Sequence, residues 1–316
     1  MLCFMVQTRK SAALVLTIAS AAIAQTATAQ SPFGDSQIRV DARMHTSSGS
    51  CASCDFSQKS MTRMRLQDAD FSNANFYRSN LSGGRFTGTN LSGAVFSKAF
   101  LVKAEGELVN LEAAVLRDAT LIQAKLTNSR FTSADLRRAD LSEGEFNDSD
   151  FTRADLSSAN ARGADFTGAI LREARLPMAN LDNAKLNGVD LRDSRAVDIS
   201  LEGADLTDAN LAGADFRSAR GLTQAQLDTA CGDAQTRLPA RLTVTYCDAS
   251  TISQFERAAI EREQGEHDHS QAMLRLDNAI RDIEAIMTAT STDRTQRRAL
   301  ERVHNQLVGS RRALAQ

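Results

Sequence analysis

The sequence predicts an all-β solenoid with a four-sided coil, and three observations carry that prediction. Every fifth position from Phe56 to Phe216 holds a large apolar residue, because 30 of these 33 positions are Leu, Phe or Met. Two residues earlier in each unit, 30 of 33 positions are Ala, Ser, Gly, Thr, Val or Cys, and Asp or Asn directly precedes the large residue 17 times. The phase never slips across 165 residues, which excludes chance.

A period of five residues fits neither an α-helix nor a plain β-strand, whose apolar periods are 3.6 and 2. It suits a chain that turns a corner in every unit and points one small and one large side chain inward, so that four units close a coil of about twenty residues. Each coil then buries its apolar face only against its neighbours. The predicted core comprises Phe71, Phe76, Leu136, Leu141, Phe151, Leu156, Phe166, Leu206, Leu211 and Phe216.

Individual units share a recognisable motif. The units at 69–73, 134–138, 204–208 and 209–213 each read Ala, then Asp or Asn, then Phe or Leu, then two variable residues. This motif resembles the A(D/N)LXX signature of the pentapeptide-repeat family. The resemblance implies a right-handed quadrilateral β-helix over residues 51–220, with about eight coils stacked into a rod roughly 40 Å long.

The repeat is weakest around Gly106, where a large inward residue is missing and the motif fades between Val102 and Val115. Ala161 and Ala196 are the other two positions without a large residue. We predict a bulged or looped coil near Gly106, and a regular but underpacked coil is the alternative.

Residues 1–29 are predicted to be a cleavable signal peptide. Two basic residues precede a short apolar run, 12–24, and the small residues Ala27 and Ala29 suit cleavage before Gln30. Cleavage after Ala24 and an uncleaved anchor are the alternatives. The run is short for a bilayer span, so the mature protein is expected to be periplasmic or secreted without a membrane span, beginning with a flexible segment, 30–50.

Export would place the remaining cysteines in an oxidising compartment. Cys51 and Cys54 precede the rod, whereas Cys231 and Cys247 follow it. A disulfide needs Cα atoms within about 7 Å, so the predicted pairs are Cys51–Cys54 and Cys231–Cys247. For Cys51 and Cys54, a redox motif, half a zinc site and unpaired thiols are the alternatives. A redox motif would need a thioredoxin-like βαβ context, which is absent, and a zinc site would need another CxxC.

Residues 221–250 are predicted to form a C-terminal cap, because an open solenoid end exposes backbone groups and apolar side chains. Thr223 and Gln226 have the spacing of a capping box, which predicts a short helix to about Ala230. This stretch also resembles the tail that follows the repeats in many bacterial pentapeptide-repeat proteins.

Residues 251–316 are predicted to form an α-helical hairpin or coiled-coil arm. Apolar residues recur three and four positions apart over 273–287 and again over 300–314, with a polar break at 288–293. The two stripes need a partner surface, which is each other, the rod, or a second chain in a homodimer formed through this arm.

A polar cluster within the arm is the candidate metal site. The cluster comprises Glu263, Glu266, His267, Asp268 and His269. Glu263 and His267 lie one helical turn apart and could share a metal, whereas His267 and His269 point to different helix faces. We interpret the cluster as a solvated polar kink and predict no metal site and no cofactor.

Catalysis is not predicted, because the four histidines, His45, His267, His269 and His304, all lie outside the repeats. A carboxylate pair hidden among the outward acids of the rod is the alternative, and it would make the protein a cryptic surface hydrolase.

The charge of the repeat region limits the kind of partner that it can bind. Residues 51–220 contain 24 Asp and Glu against 21 Lys and Arg, with the signs interleaved along the chain, so no single-sign patch and no nucleic-acid partner are expected. We predict a non-enzymatic exported scaffold or binding protein of the cell envelope, whose partner is an envelope protein or a glycan. The alternative implied by the family is a DNA mimic of the quinolone-resistance type that binds a topoisomerase.

Overall fold

A computed structural model of the chain describes residues 51–247, together with 301, 303–306 and 308. The chain divides into two compact units, Met1–Cys247 and Asp248–Gln316. The predicted signal peptide, the segment 30–50 and nearly all of the predicted arm lie outside the described residues. The six described residues of the arm are helical.

A parallel ladder joins residues that are twenty apart in the sequence. Bridges recur at every fifth residue, from Asp55 with Asn75 to Ser200 with Arg220. One rung widens into two strands, β1 (Glu105–Glu107) and β2 (Lys125–Thr127). The coil therefore contains four five-residue units, as the repeat predicts.

Each unit ends in a turn that requires a left-handed residue. At every fifth position from Ser53 to Ser218 the backbone φ is positive, between +51° and +70°, and most of these residues are not glycine. In a regular turn such as 101–104, the Ala104 N–H donates to the carbonyl of Leu101 at 3.0 Å. Positive φ at the third turn residue is the signature of a type II turn, and it explains why Gly, Asn and Asp are common there.

The inside of the rod is filled by the large and small residues of the repeat. All ten predicted core residues are buried. Phenylalanines stack between neighbouring coils, as in Phe131 over Phe151, whose ring centroids lie 4.4 Å apart, and Phe76 over Phe96, at 4.8 Å.

The coils around Gly106 keep the register, so the predicted bulge or loop is wrong. Glu105 still pairs with Lys125, twenty residues on. The difference lies in the turns, because the Val109 N–H donates to the Ser129 hydroxyl of the next coil at 3.1 Å instead of closing its own turn. The regular coil of the alternative is therefore the one observed, although the space beside Gly106 is occupied, since a Cβ there would lie 2.6 Å from Val109 Cγ2.

The segment after Arg220 lies against the last regular coil. Helix α1 (Gln224–Leu227) begins with the predicted capping box, but it ends at Leu227 and not near Ala230, because the chain rejoins the ladder when Cys231 pairs with Asn210. The Gln226 amide donates to the carbonyls of Leu201 and Ala204 at 2.9 and 2.8 Å. These bonds satisfy two backbone carbonyl groups of the last regular coil.

Two disulfides lie at the two ends of the described rod. Cys51 is bonded to Cys54, and Cys231 is bonded to Cys247, the pairs that the sequence predicts. The second disulfide joins β3 (Cys231–Gly232) to the end of β4 (Thr245–Tyr246), two strands that pair in parallel. No helix in the described part of the chain has the length and hydrophobicity needed to cross a bilayer.

Candidate interaction surface

The ladder sorts the outward side chains into four faces and four edges. The central residue of each bridge lies on a face, and the two middle residues of each turn lie on an edge. We number the edges by their turn residues in the first coil, 52–53, 57–58, 62–63 and 67–68, and each edge continues at every twentieth residue. Each face takes the number of the edge that follows it along the chain, so the first face contains residues 70 and 190 and the fourth face contains residues 65 and 105. The second and fourth edges are therefore diagonally opposite.

The recurrent Asp and Asn on the faces hold the turns that follow them. The Asp70 carboxylate accepts the Ser72 N–H at 3.0 Å, and the Asn75 side chain accepts the Tyr77 N–H, also at 3.0 Å. Such Asx turns pre-form the corner, so this part of the motif reports folding and not binding. Where Arg follows two residues later, as Arg217 follows Asp215, its guanidinium also pairs with the same carboxylate.

Ion pairs join the faces of neighbouring coils. Lys125 lies 2.7 Å from Glu145, and Lys185 lies 2.9 Å from Asp165. The hydrogen bond between Lys185 and Asp165 raises the pKa of Lys185. Three of these four side chains are largely exposed, whereas the Asp165 side chain is 18% exposed. Ion pairs with exposed lysines contribute little to stability.

One carboxylate on the first face is buried. Asp190 is 3% exposed at its side chain, and it accepts from Arg192 at 2.8 and 2.9 Å and from Arg172 at 2.9 Å. Burial by itself raises the pKa of Asp190, but hydrogen bonds from Arg192 and Arg172 outweigh it, so the pKa lies below its ordinary value. No sequence signal predicts this network, because Asp190 occupies an ordinary outward position.

A shallow open groove runs along the third edge and the fourth face. It is lined by Lys103, Glu105, Gln123, Lys125, Glu143 and Glu145. The Gln123 amide donates to Glu143 at 2.6 Å, so the lining groups bond largely to one another. Paired charges in an open groove suit docking of a polar partner better than catalysis.

The edges differ in charge, which corrects the expectation of a surface without single-sign patches. The second edge has a net charge of +4, from Arg78, Lys98, Arg117, Arg137, Arg138 and Arg217 against Asp118 and Asp198. The fourth edge has no Lys or Arg and a net charge of −4, from Asp68, Glu107, Asp148 and Asp208. The first and third edges each carry three cations and three anions.

The other predicted site residues are distributed as follows. His45, His267, His269 and the acids Glu263, Glu266 and Asp268 lie outside the described residues, so the arm cluster stays a prediction. Over the ranges that the structure covers, no three His, Cys, Asp or Glu side chains are grouped to hold a metal ion.

A parallel coil of four five-residue units, with one small and one large side chain inward in each, defines a class of β-solenoid. Eight copies of the pentapeptide-repeats model match the chain, over residues 50–83, 74–105, 108–142, 149–188 and 184–220, which together span just over half of it. The chain belongs to the pentapeptide-repeat family. Proteins of this family fold as right-handed quadrilateral β-helices, which gives the coil its hand.

Several solved structures are similar to this chain. HetL of the cyanobacterium Nostoc, a pentapeptide repeat protein involved in heterocyst differentiation regulation, is 29% identical; the match covers 58% of this chain and 91% of HetL, with a TM-score of 0.33. Full-length QnrB1, a plasmid-mediated fluoroquinolone resistance protein, is 16% identical over 66% of this chain and 98% of its own, with a TM-score of 0.37. Comparison with curated protein sequences gives no match.

Proposed function

We propose that this chain is a non-enzymatic, exported binding protein of the cell envelope, which uses its rod as a rigid scaffold. The observation that carries the proposal is the unbroken ladder, because it holds every outward side chain at a fixed spacing before any partner arrives. Preorganised surfaces bind with a smaller loss of conformational entropy than flexible ones. The disulfides at both ends suit an oxidising compartment, which supports export.

We assign the protein or glycan partner to the groove along the third edge. Its side chains alternate in charge, and the backbone beneath them lies in the region where β1 and β2 widen the ladder. An extended polar segment laid along this groove would meet donors and acceptors at the spacing of the coils, about 4.8 Å.

Affinity capture from an envelope extract tests the proposal, with the full chain from Gln30 as bait. A groove variant replaces Lys103, Gln123 and Glu143 by Ala, and a matched control replaces Arg153, Glu173 and Asp193 on the diagonally opposite first edge. All six residues occupy the left-handed turn position, where Ala113 shows that Ala is accepted. We expect the wild-type and control baits to retain one partner that the groove variant loses. Failure of the wild-type bait to retain anything reproducibly would contradict the proposal.

Export has its own test. We expect the chain recovered from a periplasmic or secreted fraction to begin at Gln30 and to contain no free thiol. Recovery of the intact chain from the cytoplasm would contradict export without affecting the account of the rod.

The DNA-mimic alternative is less well supported. Duplex DNA presents negative charge along its whole length, whereas the second edge of this rod has a net charge of +4. Inhibition of gyrase supercoiling by the purified chain would restore this alternative.

A further inference from the structure

The positive charge of the second edge is concentrated in its N-terminal half. Five of its six cations, from Arg78 to Arg138, fall within four successive coils. Three of them are paired with carboxylates, because Arg117 and Arg137 contact Asp135, and Arg138 donates to Asp118. Arg137 also lies 4.0 Å from Asp155. Three carboxylates against five cations leave this stretch positive.

Arg78 and Lys98 are the cations of this edge that remain available for a partner. Both are exposed, and within the described residues neither has a carboxylate at salt-bridge distance. The Arg78 guanidinium instead lies 5.2 Å from the centroid of the Tyr77 ring. This distance lies within the range of a cation–π interaction.

The same edge also exposes apolar side chains. Met178 is 59% exposed and has a left-handed backbone, with φ of +58°. Pro177 directly precedes it in the same turn. Val197 follows on the next coil, and Phe100, 38% exposed, lies on the adjoining face two residues after Lys98. Most other turns have a polar residue or Gly where Met178 stands, so this apolar residue is not required by the repeat.

The cations and Met178 lie along the same edge of the rod. Met178 follows Arg78 by one hundred residues, which is five coils, or about 24 Å along the rod. A rod edge of this kind meets a flat surface along its whole length. The opposite edge, with its net charge of −4, would then face away from a negative surface.

We propose that the second edge docks onto an anionic lipid surface. Basic residues near such a surface are attracted by its negative potential, and large apolar side chains enter the headgroup region next to them. A dissolved polyanion would meet the cations equally well but would have no use for Met178 and Phe100. The inference goes beyond the proposed function, because it concerns another edge of the rod and another class of ligand. The net charge of the chain, −2, conceals this edge.

Vesicle co-sedimentation with the purified full chain from Gln30 tests the proposal, whether or not a protein partner exists. The probes are vesicles of phosphatidylcholine alone and of phosphatidylcholine containing about one third phosphatidylglycerol. We expect binding to the second kind only. At roughly fivefold per charge, the double variant Arg78→Glu with Lys98→Glu should lower the partition coefficient at least about 25-fold.

A matched control changes the same charge on other edges. Arg63→Glu with Arg153→Glu alters two exposed cations in the same left-handed turn position, on the third and first edges. It should leave binding within about twofold, because these flanking edges lie farther from the membrane and salt screens its potential there. Glu is accepted in this position, as Glu143 and Glu173 show. Equal loss of binding in both double variants would overturn the proposal. Unchanged binding by the variant Arg78→Glu with Lys98→Glu would also overturn it, because the predicted arm would then carry the binding.

Met178→Ser separates lipid from polyanion. Ser158 and Ser218 occupy the same turn position, so the variant should fold. At about 1 M salt, where charges more than about 3 Å apart are screened, we expect the wild type to stay partly bound and the variant to be released. Failure of the wild type to bind phosphatidylglycerol vesicles, or identical salt release of both proteins together with tight heparin binding, would overturn a lipid ligand.

Discussion

Asp190 shows how a single residue can depart from the repeat that contains it. Its position is outward, and 17 of 33 such positions hold Asp or Asn, yet its side chain is buried between Arg172 and Arg192. The sequence predicts the inward residues well, because the period reports packing directly. The sequence does not predict the burial of Asp190, because that burial depends on the conformations of two long arginine side chains. One of these arginines, Arg172, belongs to the preceding coil.

Removing the Asp190 carboxylate should destabilise the protein more than removing an exposed partner. Asp190→Ala would leave Arg172 and Arg192 partly buried without their anion, at a cost of roughly 3–5 kcal/mol in the free energy of unfolding. Glu105→Ala, which breaks an exposed pair with Arg85, should cost at most about 1 kcal/mol. Urea denaturation of the two variants measures both values, and equal costs would contradict the buried network.

The same residue gives a pH dependence whose sign follows from its pKa. Because the pKa of Asp190 is lower in the folded state, its contribution is present above the unfolded pKa of about 3.9 and is lost as the pH falls through the folded value. The difference in unfolding free energy between the wild type and Asp190→Asn should therefore be constant above about pH 5 and shrink below about pH 4. A difference that grows on acidification would contradict this assignment.

The stacked phenylalanines support a third prediction at the residue scale. Phe151 is fully buried and stacks on Phe131, so Phe151→Ala should cost roughly 3–5 kcal/mol of unfolding free energy. Phe151→Leu should cost about 1 kcal/mol, since Leu171 fills the same column in the next coil. Chemical denaturation compares them, and a Phe151→Ala cost below that of Phe151→Leu would contradict the packing.

At the scale of the element, the turn and the coil end are where sequence and structure diverge. The fading motif at Gly106 predicts a looped coil, but the structure keeps the register and changes only the hydrogen bonds of the turn, which Ser129 and Ser149 complete. A serine hydroxyl that accepts the hydrogen bond in place of a turn carbonyl does not alter the five-residue period, so the sequence does not reveal it. The capping box at Thr223 is visible in the sequence because its spacing is local, whereas the end of the helix depends on where the ladder resumes.

The two disulfides should stabilise their ends unequally. Cys231 and Cys247 are 16 residues apart, whereas Cys51 and Cys54 are three apart. Loop-closure entropy then gives about 3 kcal/mol for the first pair and about 2 kcal/mol for the second. We expect the double Ser variant of the C-terminal pair to lose about 1 kcal/mol more in denaturation of the oxidised proteins. The reverse order would contradict this entropic account.

The whole molecule reveals a charge distribution that the linear sequence hides. Consecutive units occupy successive faces and edges, so opposite charges look interleaved along the chain even though the second and fourth edges differ by eight charges. The period of five predicts four units per coil, but the surface becomes apparent only when residues twenty apart are read together. The proposals for the groove and for the second edge both depend on this register.

Cross-linking between engineered cysteines tests that register most directly. Ser72 and Ser92 are twenty residues apart on the first edge, and adjacent coils lie about 4.8 Å apart, within disulfide range. We predict that Ser72→Cys with Ser92→Cys forms a disulfide on mild oxidation, detected by peptide mapping, whereas Ser72→Cys with Ser97→Cys, on different edges, does not. Cross-linking of the second pair and not the first would contradict the four-sided coil and every surface derived from it.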